Sequence, residues 1–151
     1  MSTSSSPRGV KFVGSHLHQL DDKGRLALPA SFRREAADQR FILVQAYTTS
    51  LTLYPELAWL EVEERLRDLV ARNPDARLYA LSVTANAVEV APDAQGRILI
   101  PSRLKEAAGL EGQALLVGAI DKVEVWNPER FASAVSDQSA QFEKFAPHVF
   151  R

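Results

Sequence analysis

The sequence predicts an α+β fold made of two similar halves packed about a pseudo-two-fold axis, and three observations carry that expectation. Asp21-Asp22-Lys23-Gly24-Arg25-Leu26-Ala27-Leu28-Pro29 returns as Asp93-Ala94-Gln95-Gly96-Arg97-Ile98-Leu99-Ile100-Pro101, 72 residues later. The echo continues at an offset of 73, where Ile42-Leu43-Val44 matches Leu115-Leu116-Val117 and the Pro-Glu of Pro55-Glu56 returns as Pro128-Glu129. Each copy also reads in the same order, β-β-α-β-β-α, with helices covering a small sheet. Two copies are too few for a solenoid, which needs about three or more units to bury a continuous core. A pair packed face to face is the remaining solution.

Residues 1–9 are Ser-rich and read as a disordered tail with no apolar run, so neither a signal peptide nor an anchor is expected there. Val10 to Leu20 reads as a strand, and Leu26 to Leu28 as its return after the Asp-Asp-Lys-Gly-Arg turn, where Gly24 supplies the positive φ of a tight reversal. Pro29 closes that strand, and Ala30 to Asp38 reads as a short helix. Phe41–Gln45 and Ser50–Tyr54 form a second strand pair. Pro55 opens a helix at its first position, which runs to about Arg72 with Val62, Leu66, Leu69 and Val70 on one face and stops at Asn73-Pro74. In the second copy Leu78 to Val90 reads as extended, since Val83, Thr84 and Val88 are β-branched. Asp93–Arg97 is the turn, Ile98–Ile100 the return strand, and Ser102–Ala108 a short helix stopped by Gly109. Ala114–Gly118 pairs with Lys122–Trp126. Asn127 caps and Pro128 opens a last helix, to about Phe145. The division is therefore 1–9 as tail, 10–73 as the first repeat with its helix, and 74–151 as the second repeat with its C-terminal helix, the two repeats forming one compact unit.

At 151 residues with 46% apolar content, one core shared by two halves is affordable. Cysteine is absent, which removes disulfides and thiolate metal sites and fits a reduced, cytoplasmic compartment. No stretch approaches the roughly 20 apolar residues of a membrane span. Net charge is only −1, but its distribution is uneven. Lys11, Lys23, Arg25, Arg33 and Arg34 against Asp21 and Asp22 leave +3 near the first turn, whereas Glu56, Glu61, Glu63, Glu64 and Asp68 against Arg65 and Arg67 leave −3 on the long helix. The 13 arginines to 5 lysines favour forked recognition of phosphates or guanine.

Enzymatic chemistry finds no support. No nucleophile elbow, Walker loop, dinucleotide fingerprint or paired-histidine zinc motif occurs, and no cofactor is called for. His16 and His18 share a strand face, as a metal pair would, but no third ligand accompanies them, so no functional metal is expected. Asp21 recurs as Asp93 whereas Asp22 becomes Ala94, which suits an aspartate capping its own turn rather than an acid–base pair. The recurrence of Gly-Arg admits two compatible readings. Arg25 and Arg97 can pair with Asp21 and Asp93, four residues back, or can offer guanidinium groups to guanine edges and phosphates.

The run from Gly14 to Arg33, GSHLHQLDDKGRLALPASFR, resembles the signature of the MraZ family, bacterial transcriptional regulators with two SpoVT/AbrB-like repeats, and residues 93–101 resemble the family's second copy. The resemblance covers about residues 11–145 and includes a D-x-x-x-R pattern in each copy. It implies a swapped-hairpin β-barrel core with flanking helices, assembly of chains into a homo-oligomeric ring, and double-stranded DNA as partner at promoter direct repeats upstream of the division and cell-wall genes, usually with repression. Transferred to this chain, DNA contact falls on Lys23, Arg25, Gln95, Arg97 and Arg33, and turn structuring on Asp21, Gly24, Asp93 and Gly96. A cytoplasmic, nucleoid-associated protein is the corresponding expectation. The alternative is an AbrB-like antitoxin-type module whose main partner is another protein, held through the Tyr54–Arg72 or Asn127–Phe145 helices. Such antitoxins typically carry one copy and a disordered tail, and the tandem duplication favours the regulator. The second turn has Gln95 where the first has Lys23, so the first should dominate contact with DNA.

Overall fold

The computed structural model of the chain describes residues 10–37 and 40–150; the expected tail 1–9, residues 38 and 39, where the first short helix was expected to end, and Arg151 lie outside the described residues. In chain order the elements are β1 (Ser15–Gln19), β2 (Arg25–Ala27), α1 (Ala30–Glu35), β3 (Phe41–Tyr47), β4 (Ser50–Pro55), α2 (Glu56–Arg72), a 3₁₀ turn (Pro74–Ala76) and α3 (Arg77–Asn86). Then follow β5 (Val88–Val90), β6 (Arg97–Leu99), α4 (Ser102–Ala107), β7 (Gln113–Gly118), β8 (Val123–Trp126), α5 (Pro128–Asp137) and α6 (Gln141–Val149).

Strand pairing interleaves the two copies. An antiparallel six-stranded sheet runs β1-β7-β8-β4-β3-β5, and a separate two-stranded ribbon joins β2 to β6. The first copy's β1 lies on the second copy's β7, and the second copy's β5 lies on the first copy's β3. At the centre of the sheet Thr52 faces Glu124, and at the centre of the ribbon Leu26 faces Ile98, which marks the pseudo-axis. The simple hairpin read for Leu26–Leu28 is therefore corrected. Only an isolated bridge, Leu20 to Leu26, ties that segment to its predecessor. Its true partner is the equivalent strand of the other copy, because pairing there buries Leu26 and Ile98 completely against each other. One core cluster unites the ribbon with the sheet, joining Leu26 and Ile98 to Leu43, Leu53, Leu116 and Val125.

Four further readings change. The strand read for Val10–Leu20 begins only at Ser15, since Gly14 sits at φ +93°, and Phe12 instead bridges to Ile120. Most of Leu78–Val90, read as extended, is α3, with only Val88–Val90 as strand. Its Ala and Leu content favours helix, Val83 reaches the cluster with Val44 and Trp59, and Thr84 Oγ1 donates back to the Ala80 carbonyl at 3.2 Å. Tertiary packing outweighs the weak preference of β-branched residues for strands. The last helix is broken at 138–140, where three-residue backbone bonds such as Ser139 N to Ser136 O tighten the chain before α6 restarts. Pro55 precedes α2 as its N-cap rather than opening it, whereas Asn127 caps α5 as read, accepting from Arg130 N at 3.0 Å.

Candidate nucleic-acid interface

Both Asp-x-x-Gly-Arg turns close by the same bonds. The amide of Gly24 donates to the Asp21 carbonyl at 3.0 Å and that of Gly96 to the Asp93 carbonyl at 2.9 Å. Asp21 Oδ1 accepts from the amides of Lys23 (3.0 Å) and Arg25 (2.8 Å), and Asp93 Oδ1 from those of Gln95 and Arg97, both at 2.9 Å. Gly24 and Gly96 adopt φ of +82° and +79°, where a side chain is strained. The turns also lock each other. Ile100 N donates to Gly24 O and Leu28 N to Gly96 O, each at 2.9 Å.

The remaining carboxylate oxygens hold the arginines. Arg25 Nε donates to Asp21 Oδ2 at 2.7 Å, and Arg97 Nε to Asp93 Oδ2 at 3.1 Å. Arg97 Nη2 also lies 3.1 Å from Asp93 Oδ2, and its Nη1 reaches 3.8 Å from Asp21 Oδ2 across the pseudo-axis. The two turns thus form one ion-pair cluster. Because Leu26 and Ile98 point into the core, period-two alternation puts Arg25, Ala27, Arg97 and Leu99 on the outward face of the ribbon. Both arginine side chains are about one-third exposed, at 33% and 29%. Lys23 and Gln95 stand exposed at the turn tips.

Of the residues expected to touch a ligand, Arg25, Arg97, Lys23 and Gln95 are gathered with the turn-structuring Asp21, Gly24, Asp93 and Gly96. Arg33, on α1, reaches the second turn from the side. Its guanidinium packs against Gly96, leaving no room for a side chain there, and its Nε is buried without a hydrogen-bond partner. Leu99, 56% exposed between the arginines, escaped the sequence reading, although inward Ile98 implies an outward neighbour. The histidines serve the scaffold: His18 Nδ1–H donates to the Ala27 carbonyl at 2.7 Å, and the His16 ring meets Phe32 edge-on at 5.2 Å. Among the described residues no cluster of three or more His, Cys, Asp or Glu could hold a metal ion, and no helix is long and apolar enough to cross a membrane.

The amide bond from Arg25, followed by the Arg25 and Lys23 contacts, holds the Asp21 carboxyl at about 2 against its ordinary 3.8. Asp93 is lowered for the same reason, the Arg97 amide first. A carboxylate with a depressed folded-state pKa stabilises above its unfolded pKa and loses that contribution as pH falls through the folded value. Wild-type stability should therefore fall between pH 3.8 and about 2. Asp21→Asn should be less stable than wild type at pH 7, and the gap should close across that window. Denaturant titrations over a pH series check this; a gap that persists at pH 2 contradicts the turn-locking role.

Comparison with known proteins agrees with this architecture. The family model described as "MraZ protein, putative antitoxin-like" matches residues 12–81 and again 83–149. Proteins named "Transcriptional regulator MraZ" are similar along most of the chain. That of Thermomicrobium roseum is 44% identical over 138 residues, covering 91% of this chain and 96% of that protein. Those of Desulforamulus reducens and Moorella thermoacetica are each 37% identical, over 138 and 135 residues, covering 91% and 89% of this chain and 96% and 94% of theirs. With a family model matched twice over nearly its whole length, and the two Gly-Arg turns locked alike, this chain belongs to the MraZ family.

Proposed function

We propose that the protein is a sequence-specific, DNA-binding transcriptional regulator that reads double-stranded DNA with the outward face of the β2–β6 ribbon. One observation carries this reading: two arginines, each held by an aspartate four residues back, stand on the same exposed face of a two-stranded ribbon. A two-stranded ribbon fits the major groove, and arginine forks onto guanine O6 and N7. Ala27 and Leu99 supply apolar contact of the kind a thymine methyl takes. The aspartates fix the guanidinium groups before DNA arrives, which lowers the ordering cost of binding.

The cluster is close to neutral, because Asp21, Asp22 and Asp93 offset Lys23, Arg25 and Arg97. A single chain therefore draws little from phosphate attraction. Several copies engaging direct repeats together supply the missing affinity through effective concentration. A closed homo-oligomeric ring, built from heterologous contacts between copies, suits that demand. The relatives' name supports regulation of transcription; repression of the division and cell-wall genes, acting at the nucleoid, is our reading for this chain.

The two turns are not equal partners. Arg97 commits Nε and Nη2 to Asp93 and leans toward Asp21, whereas Arg25 is held through Nε. Arg25 has more donors to offer, and Lys23 stands where the second turn has the uncharged Gln95. Neutralising Lys23 should lower the slope of log affinity against log salt by about 1 per engaged subunit, and Arg97→Ala should weaken binding less than Arg25→Ala. Anisotropy titrations of a duplex from upstream of the gene, run across a salt series, decide it. Equal losses mean that both turns share the DNA evenly; a larger loss at Arg97 reverses the order.

A further inference from the structure

We infer that the C-terminal helix α6 of one copy docks into the groove between α2 and α3 of a second copy, and that this helix-in-groove contact is the joint between neighbouring chains. The inference rests on the oligomer reading above and names the surfaces that form it.

α6 cannot account for itself within one chain. It has nine residues, below the roughly 12–15 at which isolated helices become even marginal in water. Beyond Gln141 every residue from Phe142 to Phe150 is exposed. Four of those are large and apolar: Phe142 at 64%, Phe145 at 53%, Val149 at 71% and Phe150 at 79% exposure, lining a hollow of about 350 Å³. A helix whose residues beyond the first all face solvent takes its stability from a surface that covers it.

The matching surface is on the same molecule but on different elements. Between α2 and α3 runs a groove of about 470 Å³, walled by Leu66, Val70 and Leu81 and floored by the small side chains Ala71 and Ala80. Protruding phenylalanines on one face and small residues between leucines on the other are the shapes that knobs-into-holes packing needs. The three phenylalanines and Val149 alone supply about half of the roughly 800 Å² per partner that a stable interface buries. Charge agrees as well. Arg77 at the groove and Glu143 on α6 each lack an ion pair among the described residues, and the proposed contact joins them. A membrane is the poorer occupant, since interfacial helices carry a Lys- and Arg-rich polar face and α6 carries one lysine beside one glutamate. Because knob and groove differ, the contact is heterologous and propagates from copy to copy until the rotation closes it.

The test is complementation between two defective copies. Phe145→Glu spoils the helix and keeps the groove; Leu81→Glu spoils the groove and keeps the helix. Light scattering behind a sizing column should show the wild type as an assembly and each variant alone reduced to monomer. An equimolar mixture should form a one-to-one pair and stop there, since only one intact joint exists between them. A mixture that stays monomeric, or either variant keeping the wild-type mass, overturns the docking assignment while leaving the oligomer reading standing. A monomeric wild type overturns the oligomer reading itself. Arg77→Glu and Glu143→Arg provide a second route that leaves the apolar contact intact: each alone should weaken assembly at least tenfold, and the two in one chain should restore it. Failure of that rescue also counts against the joint.

Discussion

Arg25→Ala is expected to abolish specific DNA binding while leaving the fold in place. The side chain is one-third exposed, points away from the core face of the ribbon, and makes its hydrogen bond and ion pair with Asp21. Truncation would remove the proposed bidentate base contact, worth about 1–3 kcal/mol at each site. In the proposed assembly, several copies binding together would multiply that loss, because each joint engagement depends on the others. The pairing it removes is a surface one, so the melting temperature should move little. Asp21 still accepts from the backbone amides of Lys23 and Gly24's neighbour at position 25, which keep the turn closed. Gel shift beside a thermal melt separates the effects. Normal binding, or a melt far below wild type, contradicts the assignment of Arg25 as a base-reading residue.

Leu26→Ala should do the reverse, costing about 2–5 kcal/mol of stability through a residue that never meets solvent. Leu26 is fully buried, faces fully buried Ile98, and sits in the core shared by both copies. Because β1, β2, β5 and β6 all pair across the copies, neither half can close its sheet alone. Denaturant unfolding should therefore stay a single cooperative transition, shifted to lower midpoint. Leu99→Ala, next in sequence but outward and 56% exposed, should leave stability near wild type. A Leu26→Ala cost below about 1 kcal/mol, or two separate transitions, would mean that the copies are independent units rather than one interleaved fold.

Much of this was legible in the residues, and what was not has a physical cause. Asp21 to Arg25 and Asp93 to Arg97 are local constellations, four residues apart, so the turn, its positive-φ glycine and its aspartate lock follow from short-range chemistry. Strand exchange does not. Alternation tells which side of Leu26 is buried, but nothing in its neighbourhood says that its partner is Ile98 of the other copy; only the resemblance to swapped-hairpin barrels carried that. The helix α3 was hidden because Val83, Thr84 and Val88 look like strand residues until Val83 finds Val44 and Trp59. Arg33 was placed with the DNA-contacting side chains by resemblance and charge, and its packing against Gly96 depends on a turn distant in sequence.

If the ribbon and its two turns are the surface that meets DNA, hydrogen exchange with and without a duplex from upstream of the gene registers it there. New protection is expected at residues 21–27 and 93–99 alone, on the outward face of β2 and β6, stronger in the first turn than in the second. Protection that leaves those turns unchanged and falls instead on α2 and α3, or on α5 and α6, would contradict it.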